Sequence, residues 1–526
     1  MSDKPSSAAA SGPHVPEPLH GTPLLLGTLS LSLATFMNVL DSSIANVSIP
    51  AISGDLGVSP GQGTWVITSF GVANAISVPL TGWLTQRFGA VRLFTMSVLL
   101  FVLASWLCGF APSLEMLVAF RVLQGLVAGP MIPLSQTLLL SSYPRAKAGT
   151  AMALWGMTTL VAPVVGPLLG GWITDNMAWP WIFYINVPVG LFAAGLTWSV
   201  YRHRETPRRK LPIDTVGLTL LVLWVGSLQL MLDKGKELDW FASNQILALG
   251  IVALVSFAIF VVWELTDAHP VVELRLFARR NFALGALTLS VAYGLFFGNV
   301  VLMPLWLQQW MGYTATNAGM AIAPVGLLAI LLTPVIGKKV SVWDPRWIAT
   351  GAFIMFGLVL WMRSHFTVQT DLVQILIPTL LQGIAMAMFF IPLNMLTLAG
   401  LTPDRIPAAA GLSNFTRITA GAMGTSIATT LWEDRAAMHH AHLTETLVQG
   451  QGVFANTMDT LRAAGLSTEQ ALAQVNRLID QQAFTRAADD IFLGSAFVFL
   501  GLISLIWLTH RPAPLPGPAV DTGGAH

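Results

Sequence analysis

Apolar segments long enough to cross a membrane follow one another along most of this chain of 526 residues. A membrane-spanning helix needs about 20 predominantly apolar residues, and only 10% of the residues are charged, whereas a soluble domain carries roughly 25%. We therefore predict an all-α polytopic membrane protein with 14 transmembrane helices. The predicted spans are residues 23–47, 62–84, 91–111, 114–137, 148–173, 180–201, 212–232, 244–265, 282–308, 317–339, 346–364, 372–400, 407–431 and 489–510.

Basic residues are divided unequally between the two sides of this topology. When the N-terminus and alternate loops are placed on one side, that side holds 18 of the 27 Lys and Arg residues and the other holds 7. The positive-inside rule then predicts that both termini are cytoplasmic. The apolar stretch from residue 23 to 49 is too long for a signal peptide, so the first helix is predicted to stay as an uncleaved anchor.

Composition and motifs disfavour several other classes of function. The net charge of +1 does not indicate the basic surface that a nucleic-acid-binding protein needs. The chain has a single cysteine, Cys108, so it cannot form an internal disulfide. The histidine-rich run Met438–His442 lacks a matching pair of ligands elsewhere, so no metal site is predicted. No P-loop, HExxH or GxSxG arrangement is present, so we expect neither an enzyme, nor ATP drive, nor a cofactor.

Short motifs recur in order at an offset of about 255–262 residues. Pro79–Gly82 recurs as Pro334–Gly337, and Gln124-Gly125 recurs as Gln382-Gly383. Such a repeat predicts two six-helix bundles related by an axis normal to the membrane, with two inserted helices between them and a substrate site near the midplane. The predicted parts are a disordered cytoplasmic tail (1–22), an N-terminal bundle (23–201), a basic linker with the inserted helices (202–281), a C-terminal bundle (282–510) with a periplasmic loop at about 433–488, and a cytoplasmic tail (511–526).

The charges Asp41 and Arg121 lie inside predicted spans, where ionised groups are expensive and usually functional. Counted along their helices, both lie roughly 8–9 Å to the outer side of the span centre, so they are expected to pair. The cation favours the ionised carboxylate, while removal from water favours the protonated acid. We predict that Asp41 takes up a proton outside and releases it inside; the alternative is an ion pair that only fixes packing.

A third buried charge, Arg417, has no acid at its depth in the second half of the chain. It is expected either to attract anionic or weakly acidic substrates or to be capped by backbone carbonyls and water. Aromatic and amide side chains recur in the spans and suit an apolar cavity with a few polar groups, although each also has an ordinary role in helix packing. The candidate substrate-binding residues are Phe36, Asn46, Trp65, Gln124, Gln136, Trp155, Tyr293, Phe297, Asn299, Gln382, Asn394 and Arg417.

Two stretches rich in small residues are candidates for conformational roles. In the fifth span, Gly166, Gly170 and Gly171 allow close helix approach, and Pro163 and Pro167 kink the helix; an ordinary packing seam is the alternative. For the turn that contains Gly82, Arg87 and Gly89, an ordinary cytoplasmic loop with positive charges is the favoured explanation, and a gating latch is the alternative.

These motifs resemble the 14-span drug:proton antiporters of the major facilitator superfamily, the EmrB/QacA type. The resemblance covers about residues 24–511 and rests on Leu40–Val47, Arg121–Gly125, Gly166–Gly171, Trp181–Gly190 and Ser413–Arg417; the run Gln62–Gly71 and the long outer loop look closest to EmrB proteins. The turn departs from the family pattern, because Gln86 replaces the usual acid and Ala90-Val91 replace a basic pair.

The resemblance implies proton-driven efflux of lipophilic, often weakly acidic toxic compounds across the inner membrane of a Gram-negative bacterium. It also implies a periplasmic membrane-fusion adaptor and an outer-membrane channel as partners in a tripartite pump. Two other hypotheses stay open: an exporter of one metabolite or siderophore on the same scaffold, and a non-transporting membrane receptor.

Overall fold

A computed structural model describes residues 17–511, except residues 59, 145–146, 209–211, 213, 236, 341 and 450. The side chains of some helical residues, among them the candidates Asn46, Pro163 and Pro167, lie outside that description, as do most of the two predicted tails. The described chain is helical and contains no strand, which confirms the predicted all-α class. In hydrocarbon a helix satisfies all its backbone hydrogen bonds within one segment, which is why apolar runs of this length fold in this way.

The first half of the chain forms ten α-helices, several of them pieces of one predicted span. They are α1 (Gly21–Asp55), α2 (Pro60–Gly63), α3 (Trp65–Ser77), α4 (Thr81–Phe88), α5 (Ala90–Gly109), α6 (Leu114–Ala128), α7 (Met131–Ser142), α8 (Ala148–Asn176), α9 (Trp181–Tyr184) and α10 (Asn186–Tyr201).

Ten further α-helices follow, beginning with the two inserted ones. They are α11 (Thr215–Lys234), α12 (Asn244–Thr266), α13 (Arg280–Gln309), α14 (Ala315–Ile322), α15 (Pro324–Lys339), α16 (Pro345–Arg363), α17 (Leu372–Leu398), α18 (Ile406–Gln449), α19 (Gln451–Ala463) and α20 (Thr468–Trp507). Short 3-10 helices cover Val78–Leu80, Trp240–Ala242, Leu274–Ala278 and Pro403–Arg405.

Twelve helical segments of the described chain are long and apolar enough to cross a membrane. The predicted spans 148–173 and 407–431 fall on α8 and α18, which have 29 and 44 residues but are not among the twelve. The count of fourteen spans therefore stays a prediction.

The segment at 433–488, expected as a long loop, is largely helical. At 1.5 Å per residue α18 is about 66 Å long and α20 about 60 Å, roughly twice the hydrocarbon thickness of a bilayer. A capping box between Ser467 and Gln470 starts α20 well before the predicted span. Trp432 on α18 donates to the Phe484 carbonyl of α20 (2.8 Å), so the two helices stay paired beyond the membrane-length portion. We call the part of α18–α20 between residues 433 and 488 the helical extension.

The helices form two bundles, with α1 against α8 and α10 in the first and α13 against α17 and α18 in the second. The hydrophobic core of the first bundle continues to Val340, Ile348 and Ile391 of the second. The bundles meet where α8 contacts α15 and where α4 and α7 contact α18. These contacts are close: a Cβ added at Gly82 would lie 2.6 Å from the Cβ of Ala408, and one at Gly337 would lie 2.6 Å from the Cβ of Ala153. All four residues lie near the predicted cytoplasmic helix ends. We call this region the inner seam.

Candidate functional site

Asp41 lies on α1, is fully buried, and accepts hydrogen bonds on both carboxylate oxygens. Arg121 Nη1 on α6 lies 2.5 Å from its Oδ2. Gln124 Nε2 (3.1 Å) and Asn186 Nδ2 (2.8 Å) both donate to its Oδ1. The structure thus brings together the two charges whose depths predicted a pair. Three donors from two other helices therefore surround the carboxylate.

Arg121 is also fully buried and is held on several sides. Its Nε donates to the Val66 carbonyl (2.9 Å), and its Nη1 donates to Gln124 Oε1 (2.6 Å). Its guanidinium lies 4.2 Å from the centre of the Phe70 ring and 5.5 Å from that of Phe183. Nη2 has no hydrogen-bond partner among the described residues. The guanidinium therefore keeps several contacts that do not depend on the carboxylate.

Two residues of this cluster were not among the candidates. Ser105 Oγ on α5 accepts from Gln124 (2.7 Å) and from Asn186 (3.0 Å), and so joins α5, α6 and α10 around the carboxylate. Asn186 lies inside the motif Trp181–Gly190 and is the only amide side chain of the predicted span 180–201, a signal that could have identified it. A serine in a membrane helix is too common to stand out in one sequence.

The glycines of α8 bring that helix against α1 directly beside Asp41. A Cβ at Gly166 would overlap Ser43, and a Cβ at Gly170 would lie 2.7 Å from Ile44 Cγ1. The Ser43 hydroxyl lies 3.4 Å from the Ala162 carbonyl of α8. The backbones of α1 and α8 therefore approach each other closely, as is usual for small residues spaced four apart.

Arg417 lies on α18 among aromatic rings of the second bundle. Its guanidinium is 4.6 Å from the centre of the Tyr293 ring and 5.8 Å from that of Phe390, and Tyr293 stacks on Phe297 at 4.4 Å. Its Nη2 donates to Asn414 Oδ1 (2.7 Å), and it forms no ion pair with a described residue. The cation is capped by a side-chain amide and ring faces, which the two sequence hypotheses had not foreseen.

Amide groups connect the two bundles next to Arg417. Asn414 Nδ2 donates to Gln136 Oε1 on α7 (3.2 Å), and Gln136 Nε2 donates to Asn394 Oδ1 on α17 (3.2 Å). All three side chains are at most 5% exposed. The candidates Gln136 and Asn394 therefore contact each other across the bundle interface.

The second bundle contains a counterpart of the Asp41 cluster, displaced by 258 residues. The pairs are Asp41 with Asn299, Ser105 with Arg363, Arg121 with Thr379, and Gln124 with Gln382. Arg363 donates to Gln382 Oε1 (2.7 Å) and lies 3.3 Å from Thr379 Oγ1. The repeat thus preserves a polar cluster with two changes. Asn299 stands at the position equivalent to the acid Asp41, and the cation Arg363 stands at the position equivalent to Ser105 instead of that of Arg121.

Arg363 is one of the seven basic residues counted on the outer side in the sequence analysis, and the structure shows that its side chain is buried and does not lie in a loop. It is the last residue of α16, is 2% exposed, and its Nε has no partner among the described residues. The polar side chains of Gln382 and Thr379 on α17 draw it inward. It therefore adds nothing to the charge of the outer loops.

The remaining candidates lie apart from these clusters. Trp65 is 38% exposed, with Lys234 Nζ 5.6 Å from its ring centre. Trp155 is buried and donates to Ser135 (3.1 Å), Asn299 contacts only residues of its own bundle, and Phe36 is half-buried.

The turn after α4 contributes packing. Gly82 lies against Ala408 in the inner seam, and Arg87 lies 5.5 Å from the Trp83 ring. Gly89 has φ of +88°, a conformation that favours glycine, and Glu205 lies in the space that a side chain would occupy. No group of three or more His, Cys, Asp or Glu that could hold a metal occurs in the part of the chain that the structure describes.

Comparison with known proteins decides the family. The model of the Major Facilitator Superfamily matches residues 31–425. The chain belongs to the Major Facilitator Superfamily. Within this superfamily it is of the EmrB type, as its motifs predicted: it is 51% identical to the multidrug export protein EmrB of Escherichia coli K12 over 97% of this chain and 99% of that protein.

Other members of the superfamily agree with this assignment. The chain is 52% identical to EmrB of Haemophilus influenzae (94% of this chain, 97% of that protein) and 49% identical to the fatty acid resistance protein FarB of Neisseria gonorrhoeae (94% and 98%). Its fold is similar to that of the human organic anion transporter MFSD10 (TETRAN), with a TM-score of 0.55, 13% identity, and coverage of 93% of this chain and 100% of that one.

Proposed function

We propose that this protein carries out proton-driven efflux of lipophilic, often weakly acidic toxic compounds. The observation that carries the proposal is the buried Asp41–Arg121 pair, a titratable group placed inside a membrane bundle. The names of the relatives, multidrug export and fatty acid resistance, support export of lipophilic compounds that include carboxylic acids.

The geometry of Asp41 supports a coupling role. As an ionised carboxylate it accepts from Arg121, Gln124 and Asn186 together. A proton on either oxygen removes the charge that Arg121 faces and turns one acceptor into a donor, so the cluster must rearrange. Because Gly166 and Gly170 hold α8 against α1, that rearrangement reaches α8, which contacts the second bundle through α15.

Charge in the second bundle supports an acidic substrate class. Between residues 280 and 432 the only acids are Asp344, Asp371 and Asp404, and all three lie at helix starts. Arg363 and Arg417 are therefore buried cations without a carboxylate. Such cations favour an anionic ligand, and the Tyr293 and Phe297 rings beside Arg417 offer it an apolar surface.

We further propose the setting that the resemblance implies: fourteen spans, both termini in the cytoplasm, and a place in the inner membrane of a Gram-negative bacterium. The helical extension would then lie in the periplasm, where its helices offer a surface for a membrane-fusion adaptor leading to an outer-membrane channel. Co-purification of such an adaptor with the full chain, and its loss when residues 451–463 are deleted, would support this arrangement.

Proton movement in proteoliposomes tests the coupling. A pH-sensitive dye inside the vesicles reports flux when laurate or a lipophilic cationic dye is added, with the leak of protein-free vesicles subtracted. We expect substrate-triggered flux in the wild type and its loss in Asp41→Asn. The matched control is Asp55→Asn on the same helix, where the acid instead accepts from Trp179 (2.7 Å). Equal flux in the wild type and Asp41→Asn would refute the role of Asp41.

The two other hypotheses predict different results. An exporter of one metabolite or siderophore would respond to one chemical class among many tested. A non-transporting receptor would show no flux with any compound, and Asp41→Asn would leave its signalling intact.

A further inference from the structure

Four polar side chains form one continuous hydrogen-bond chain from the middle of α18 across the interface between the bundles. Arg417 donates to Asn414 (2.7 Å), Asn414 donates to Gln136 (3.2 Å), and Gln136 donates to Asn394 (3.2 Å). Asn394 in turn donates to the Phe390 carbonyl (2.9 Å). We call these four side chains the amide chain. Gln136 is the only one of these four side chains that belongs to the first bundle. The two hydrogen bonds of the amide chain that cross between the bundles, to Asn414 and to Asn394, therefore both depend on Gln136.

The direction of the amide chain is fixed by its first member. A guanidinium can only donate, so Asn414 must present its oxygen to Arg417 and its nitrogen to Gln136. Gln136 must then accept from Asn414 and donate to Asn394. Each hydrogen bond polarises the next in this buried site, and the cation at one end strengthens the series. When Arg417 no longer donates to Asn414, the Asn414 amide is free to rotate. Its nitrogen is then no longer held towards Gln136, and the orientation of the Gln136 amide is no longer fixed.

The amide chain lies on the approximate symmetry axis of the molecule. Gln136 and Asn394 are equivalent positions of the internal repeat, 258 residues apart, and they bond directly to each other. The inner seam lies on the cytoplasmic side of them, where Gly82 meets Ala408 and Gly337 meets Ala153. The two bundles rock against each other during transport. When they separate on the cytoplasmic side, the hydrogen bond between Gln136 and Asn394 breaks.

We propose that the amide chain is a latch that holds the inner seam closed while Arg417 is free of substrate, and that an anionic group on Arg417 releases it. The second part rests on the proposed function, since it needs an acidic substrate at Arg417. The latch makes Gln136, Asn394 and Asn414 positioning residues of the transport cycle. Loss of the anion from Arg417 lets Arg417 donate to Asn414 again, which restores the amide chain and favours closure of the inner seam.

Cysteine labelling at the inner seam tests the latch in the full-length protein in inside-out vesicles. Cys108 is buried and is replaced by alanine, and Ala408→Cys, at a position that is 8% exposed, serves as the reporter. Without added substrate, Gln136→Ala should raise the rate of maleimide labelling about tenfold, the change expected from losing two hydrogen bonds between the bundles. The matched control is Asn38→Ala, a buried amide that donates to the Ala128 carbonyl within the first bundle (3.3 Å).

Two more variants keep the test decisive if Gln136→Ala fails to fold. Asn414→Asp keeps the acceptor for Arg417 but loses the donor to Gln136, and Asn394→Ala removes only the last acceptor. Both should also accelerate labelling. Rates equal to those of the wild type and Asn38→Ala in every folded variant would overturn the latch.

The link to substrate is tested separately with laurate and with dodecanol, which has the same chain length without the charge. Laurate should accelerate labelling of the reporter, dodecanol should not, and Arg417→Gln should label fast with or without laurate. If the variants open the seam but laurate does nothing, the release by an anion is wrong while the latch stands. Loss of proton flux in Asp41→Asn is independent of both results, so failure of the latch and failure of the proposed function remain distinguishable.

Discussion

The pairing energy of the buried residues Asp41 and Arg121 can be measured with a double-mutant cycle, in which each residue is changed alone and both are changed together. Removing one partner of a buried ion pair usually costs about 3–5 kcal/mol, because the other charge is left uncompensated. In Asp41→Asn, Arg121 keeps the Val66 carbonyl, Gln124 Oε1 and the Phe70 ring face. We therefore expect a cost near the lower end, about 3 kcal/mol.

Arg121→Met leaves a different charge behind. Asp41 then keeps the amide donors Gln124 and Asn186 but has no cation. The buried carboxylate is then left without a countercharge, so we expect this variant to lose about 3–5 kcal/mol of stability. The double variant carries no buried charge at this site and should be more stable than the sum of the single changes predicts, by about 3 kcal/mol.

The free energy of unfolding is measured in mixed micelles of increasing SDS fraction by circular dichroism, for the wild type, both single variants and the double variant, at several pH values. Additive effects, with a coupling below about 0.5 kcal/mol, would refute the reasoning, because distant and independent sites behave in that way.

Two other predictions concern packing and surface charge. Gly166→Ala should lower thermal stability and reduce efflux, because its added Cβ would overlap Ser43. In the control Gly156→Ala, nothing lies within 4 Å of the added Cβ, so this change should be neutral or slightly stabilising. Equal melting temperatures of the two variants would contradict the close contact of α1 with α8. At the start of α16, burial alone would raise the pKa of Asp344, but hydrogen bonds from the side chain and backbone of Arg346 outweigh it and lower that pKa. The ionised Asp344 therefore stabilises the folded protein above its unfolded pKa, and this stabilisation is lost as the pH falls below about 4. In a plot of unfolding free energy against pH, Asp344→Asn should lose less stability than the wild type at acid pH. Parallel plots would show that the contact contributes nothing to stability.

Charge is distributed differently in the two bundles. In the first, Asp41 compensates Arg121, and the pair is neutral as a unit. In the second, the equivalent of Asp41 is Asn299, while Arg363 and Arg417 have no acid near them. The internal repeat thus places a paired acid and cation in one bundle and buried cations without an acid in the other.

Much of the fold follows from the sequence alone because a bilayer leaves few choices. Apolar runs of about 20 residues must be helices, and basic loops orient them. The recurrence of Gln124-Gly125 as Gln382-Gly383 indicated the repeat, and the depths of Asp41 and Arg121 along their helices predicted their contact. These are local properties, or distances along a regular helix, and they need no knowledge of packing.

Tertiary structure decided what depends on how helices rotate and meet. Sequence could not show that Gln136 and Asn394 face each other on the axis, because that requires the rotation of α7 and α17 and the closeness of the two bundles. It also could not show that Arg363 turns inward to Gln382, since a cation at a helix end is as easily solvated as buried. The sequence by itself determined the helical membrane fold, its repeat and its first charge pair. Only packing decided which polar groups meet, because a hydrogen bond requires its donor and acceptor to be placed within a few tenths of an ångström, and helix periodicity does not specify positions that closely.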